Sequence, residues 1–180
     1  MKSVRLTPAI MILVALIVPA IVCGGTDQFD RAMAPLLEEY LKIHDALAAD
    51  KTDGVERAAE QMVILADKAD PNTVTSEHKD HYRHVPMKIK KAAQDLARGK
   101  DLEAMREAFK GLSRPMAMWA TMSKPKGVYV VFCSMANASW LQKGKVVRNP
   151  YHGHEMLRCG EIVGGEDLDK GSHGPHTKNH

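Results

Sequence analysis

Apolar residues recur at spacings of three and four from Phe29 onward: Phe29, Met33, Leu36, Leu37, Tyr40, Leu41, His44 and Leu47. That period marks one stripe of an amphipathic helix, starting near Gln28 with Thr26 or Asp27 as its cap. His44 lies on the stripe, where an imidazole reads as a core or boundary residue rather than a ligand. After a polar break, a second helix is predicted from about Gly54 to Lys68. Val55, Ala58, Ala59, Met62, Val63, Leu65 and Ala66 form its apolar face, and Pro71 follows its end. A third helix begins after Thr75 or Ser76, or as late as Val85 with Pro86 in its first turn. It continues through Ile89, Ala92, Ala93, Leu96 and Ala97 to a stop at Arg98-Gly99. Asp101 caps a fourth helix carrying Leu102, Met105, Ala108, Phe109 and Leu112. Pro115 predicts a kink or break in it, with Met116, Met118, Trp119 and Met122 beyond.

The texture changes at Lys124-Pro125-Lys126-Gly127. Val128 to Phe132 is β-branched and aromatic and reads as a buried strand. Trp140-Leu141 and Val146-Val147 are shorter extended pieces, with Lys143-Gly144-Lys145 as the turn between them. From Gly164 the apolar periodicity ceases and a disordered tail is expected. The fold class is therefore mainly α: a four-helix up-and-down bundle followed by a small extended or β C-terminal lobe.

The first residues set the compartment. Lys2 and Arg5 precede an apolar run, Ala9 to Val22, of about 14 residues, the length of a signal-peptide core and short for a membrane span. Residues 1–25 are read as a signal peptide, 26–163 as the folded domain and 164–180 as a His-containing tail. Val22 before Cys23 fits lipidation poorly, and no membrane span is expected after cleavage. The domain is thus expected to be periplasmic or secreted, where disulfides persist. A net charge of +3, partly in the leader, offers no basic patch for nucleic acid.

Candidate chemistry gathers between Val128 and Gly160. Cys133 has Met135 two residues after it, and Cys159 has Met156 three residues before it. Thiolates and thioethers are soft ligands that select Cu(I) over hard cations. The candidate metal set is Cys133, Met135, Met156 and Cys159, with His152 or His154 in reserve. The same two cysteines can instead close a disulfide staple, and spacing and compartment by themselves favour it. His78, His81 and His84 share a spacing of three but read as a solvated basic face. The Met116, Met118, Met122 and Trp119 group reads as helix core. His173, His176 and His180 attract metal only weakly. No nucleophile with a nearby base and no phosphate loop is legible, so no enzyme activity is expected. The absence of a Cys-x-x-Cys speaks against a thiol oxidoreductase.

Several short elements, in order, carry a resemblance. They are Arg106-Glu107-Ala108-Phe109 with Leu112-Ser113, Cys133-Ser134-Met135, Trp140-Leu141, Asn149-Pro150-Tyr151-x-Gly153, and Met156-Leu157-Arg158-Cys159-Gly160-Glu161. From about Phe29 to Glu161 the chain resembles a small periplasmic domain of unassigned function. That domain occurs alone or appended to adaptor subunits of the copper and silver efflux pumps of the resistance-nodulation-division type. Ser134 stands where the family has proline, and His152 where it has an aromatic residue. The resemblance implies a stand-alone version of this domain that handles a soft metal, with an efflux adaptor or pump as its partner. It tips the balance between staple and metal site toward Cu(I).

Overall fold

The computed structural model describes residues 28–74 and 79–165. The expected signal peptide, Cys23, His78 and the tail from residue 166 onward lie outside the described residues. Helix α1 spans Gln28–Ala48, α2 Val55–Ala66, the single-turn α3 Lys79–Tyr82, α4 Val85–Ala97 and α5 Leu102–Ser123. Strands β1 (Val128–Cys133), β2 (Ala138–Lys143) and β3 (Glu161–Gly165) follow. The mainly helical bundle with a small C-terminal sheet is thus as expected.

Each long helix buries the stripe its sequence spells out. Phe29, Met33, Leu36, Tyr40, Ile43 and Leu47 of α1 are fully enclosed, as are Ile89 and Leu96 of α4. Helix α2 packs between α1 and α4, and α4 against α5. Asp101 caps α5 by accepting from the Ala104 N–H at 2.8 Å, which supplies a partner for one orphan donor of the first turn. The third helix takes its later start, at Val85, with Pro86 in its first turn. His81 therefore sits in α3 while His84 precedes α4, and both are exposed. Pro115 does not break α5 as expected. The buried stripe Met105, Phe109, Leu112, Met116, Trp119 runs through it without a change of phase. Burial along that stripe outweighs the roughly 3 kcal/mol that an interior proline costs a helix. Met116 and Trp119 are core residues, and the Trp119 indole N–H donates to Asp30 at 2.8 Å.

The sheet differs from the expected hairpin. Its order is β2-β1-β3, all antiparallel. Trp140 and Leu141 pair with Val131 and Val130 of β1, not with Val146-Val147. A four-residue turn, 134–137, joins β1 to β2, with Asn137 in the left-handed region at φ 47°. Residues 144–148 form no strand because the Gln142 side chain takes their hydrogen bonds. Its amide donates to Gly144 O and Val146 O, both at 2.9 Å, and its carbonyl accepts from Arg148 N at 3.0 Å. Gly164 and Gly165, expected to open the tail, instead complete β3 against Val130 and Tyr129.

A clamp joins the lobe to the bundle. Arg106, mostly buried in α5, donates to Leu47 O at 2.9 Å, to Asp50 at 2.5 Å and to Pro150 O at 2.9 Å. Asp50 also accepts from the His154 backbone N–H (3.1 Å) and the His154 ring (2.5 Å). Gly153 has φ +54°, and a Cβ there would overlap Asp50 and Arg106. Arg106→Ala should lower stability by about 2–4 kcal/mol, because it strands a carboxylate and two carbonyls. Arg106→Lys should recover less than half of that, since one ammonium cannot reproduce the fork. Both values can be read from urea unfolding.

The Arg106 guanidinium, and after it the His154 N–H and ring, hold the Asp50 carboxyl down at about 2. An unfolded Asp titrates near 3.9, so this carboxyl binds protons more weakly when folded. Its contribution is complete above pH ~4 and is lost as pH falls through about 2. Unfolding midpoints measured across that window should fall steeply in the parent and less steeply in Asp50→Asn.

Candidate functional site

Cys133 ends β1 and Cys159 lies two residues before β3, so both reach the same end of the sheet's central strand. Their sulfurs are 3.0 Å apart and unbridged. Cys133 is fully buried, while Cys159 keeps part of its surface. Gly160 allows this approach. It has φ +147°, and a Cβ would meet the Trp140 ring at 2.6 Å and Val131 at 3.0 Å. Any larger residue would push the 159–161 segment off β1.

The turn after Cys133 directs donors at its sulfur. The Ala136 N–H lies 3.5 Å away, and the Met135 backbone and the Asn149 side chain are near enough to favour the thiolate. Burial by itself pushes the Cys133 thiol up. The hydrogen bond from Cys159 and those from Ala136, Met135 and Asn149 outweigh it and bring the thiol below its ordinary value. Cys159 moves the other way: donating to Cys133 raises it first, with burial and the charge of Cys133 adding to that. The pair is therefore asymmetric, with Cys133 the stronger thiolate former and Cys159 the proton donor.

The two methionines occupy the turns flanking the sulfurs. Met135 lies in the β1–β2 turn with its side chain 68% exposed. Met156 ends a short 3-10 turn, Gly153–Met156, where its carbonyl accepts the Cys159 N–H at 2.9 Å. The structure thus unites Cys133 and Cys159, while Met135 and Met156 lie in the turns next to them along the chain. Among the described residues, no three His, Cys, Asp or Glu side chains converge. His154 points to Asp50, as described above. His44 is 2% exposed, and its Nε2 donates to Arg148 O at 2.9 Å, as a core residue would.

Asn149 is the site residue that the sequence showed only within the Asn-Pro-Tyr element of the resemblance, with no role of its own. It is 0% exposed. Its amide donates to Cys159 O at 2.8 Å, and its carbonyl accepts from Tyr151 N at 2.8 Å and His152 N at 3.2 Å. Tyr151 extends this scaffold. Its hydroxyl donates to Ser139 O at 2.6 Å, and its ring meets Trp140 edge-on with centroids 5.8 Å apart. The neighbouring His152 ring has its Nε2 closed off from solvent without a hydrogen-bond partner among the described residues, at a cost of about 1–3 kcal/mol. Asparagine's place in a buried network is visible only once the chain is folded, although a polar residue amid Pro, Tyr and Gly was its one sequence signal.

Asn149→Ala should raise the Cys133 pKa, read by ultraviolet thiolate absorbance in a Cys159→Ser background. It should also cost about 1–3 kcal/mol, because it leaves three backbone groups unpaired. A stability loss with an unmoved thiol titration would show that Asn149 supports the loop but not the sulfur.

Comparison with known proteins adds one family. No curated protein and no solved structure matches the chain. No helix among the described residues is long and apolar enough to cross a membrane. A family model matches residues 36–127, the helical bundle up to the start of β1, and stops short of both cysteines. That match covers just over half of the 180 residues, and the chain belongs to this family, described as a protein of unknown function (DUF3347).

Proposed function

We propose that this chain binds a soft metal ion, Cu(I) foremost, as cargo in a periplasmic or secreted compartment, for metal tolerance or efflux. Cys133 and Cys159 supply the thiolates, and Met135 and Met156 supply thioethers from the adjoining turns. The observation that carries this reading is the donor-lined turn at Cys133. Backbone N–H groups aimed at a sulfur favour its anionic form, and the thiolate is the form that binds metal. A second sulfur stands 3.0 Å away. Thioethers beside thiolates suit monovalent copper or silver and not hard cations. An efflux adaptor or pump as partner rests on the resemblance of the Cys, Trp-Leu, Asn-Pro-Tyr and Met-Leu-x-Cys-Gly elements, and the compartment on the N-terminal apolar run.

The same proximity favours a second reading, in which the cysteines close a disulfide and the domain is a protein-interaction module that binds no metal. A bridge across a separation of 26 residues would stabilise the fold by roughly 3–4 kcal/mol in the loop-entropy account. Thin lobes gain most from such staples.

Thiol counting with and without reductant, followed by anaerobic Cu(I) competition against a chromophoric chelator, separates the two. The metal reading expects Cys133 and Cys159 free and a roughly 1:1 complex. That complex should be lost in Cys133→Ser and weakened about tenfold in Met156→Leu, near 1.4 kcal/mol. Bridged cysteines as purified, with no Cu(I) binding after reduction, would sink it in favour of the staple.

A further inference from the structure

A recess opens between the start of α5 and the C-terminal lobe. Leu102, Arg106, Tyr151, Met135 and His152 are among the residues that line it. Its two cations are already engaged. Arg106 holds Asp50, and Lys110 donates to Glu107 at 2.7 Å. Glu103 adds a carboxylate at the rim. What remains unspent is the Nε2 of His152, buried and without a partner among the described residues, and the exposed thioether of Met135. Native structures seldom leave a buried polar nitrogen idle, and its lone pair is the metal-binding atom of a neutral imidazole. Both residues line the same recess, and each sits in a bonded loop. Met135 belongs to the turn that feeds N–H groups to Cys133, and the His152 backbone donates to Asn149 at 3.2 Å.

We infer that Met135 and His152 form a second, shallower soft-metal site in this recess, from which a monovalent ion passes to Cys133. One thioether and one imidazole suit Cu(I) or Ag(I) and bind it less strongly than thiolates do. Transfer is a ligand exchange. The ion leaves sulfur and nitrogen, binds the Cys133 sulfur and keeps its charge, and the proton of the Cys133 thiol goes to water. The destination of the ion rests on the function proposed above, whereas the recess site stands on its own geometry.

The test titrates Ag(I), a redox-inert probe, into the full chain with Cys133 and Cys159 both replaced by serine. The Met135 methyl and His152 ring resonances are followed by NMR. Both should shift together, and the shifts should vanish in Met135→Leu and in His152→Phe. In the cysteine-intact chain, Ag(I) added beyond the thiols should move the same resonances, so the outcome does not depend on how the double variant folds. With thiols intact, His152→Phe should slow Cu(I) loading from a chelator about tenfold and leave the final affinity unchanged, whereas Met135→Leu should slow loading and also weaken the final complex, because Met135 serves both sites. Resonances that stay still, or a His152 ring that still shifts in Met135→Leu and a Met135 methyl that still shifts in His152→Phe, overturn the inference. Cu(I) on the cysteines with a silent recess would remove this site alone. A responsive recess beside cysteines that bind nothing would remove the earlier reading alone.

Discussion

A single buried carboxamide, that of Asn149, connects everything in the lobe that has chemistry. Its oxygen accepts from Tyr151 and His152, its nitrogen donates to Cys159 O, and its nearness helps bring the Cys133 thiol down. One side chain therefore shapes the loop, ties down the segment carrying Cys159 and contributes to the electrostatics of Cys133. Fully satisfied buried networks rigidify the groups they join, and partly satisfied ones cost free energy. The loop at 149–153 has little apolar surface of its own, so this network and the rings of Tyr151, Trp140 and Phe109 replace a conventional core.

The bundle holds that lobe at separate points. Arg106 grips Pro150, and His44 grips Arg148 O. The Tyr40 hydroxyl, 2.6 Å from Ser113, accepts from the Leu141 N–H at 3.1 Å. Each is a polar contact at the end of a side chain rooted in a helix stripe. That explains why a three-stranded sheet, too thin to fold alone, stays in place. The helices matched by the family model form the platform, and the cysteine pair sits on what the platform carries.

The asymmetry of the two thiols bears on both readings of the site. A buried, donor-fed Cys133 beside a partly exposed Cys159 is a competent thiolate ligand pair and equally a competent precursor of a bridge. The choice between them is set by redox poise and available metal, because thiolate formation is the first step of either. The exposed Met135 is a thioether donor in the metal reading and a packing residue of the interaction face in the disulfide reading.

The helices were legible in the sequence because each carries enough periodic apolar residues to bury a face whatever its neighbours do. Phe29 to Leu47 and Met105 to Trp119 are examples. The soft-ligand residues were legible as types, since Cys and Met have few other chemistries. The sheet register was not legible. Trp140-Leu141 pairs with β1 and not with Val146-Val147, because the Gln142 side chain occupies the hydrogen bonds that a hairpin there would use. Strand β3 was missed because Ile162 and Val163 are its only large apolar residues, and its stability comes from pairing with β1. By itself the sequence determined four amphipathic stripes and a set of sulfur donors. The tertiary structure decided that Cys133 and Cys159 meet. That meeting depends on long-range pairing, on Gly160 against the Trp140 ring and on Asn149 in its network, and no local pattern encodes those contacts.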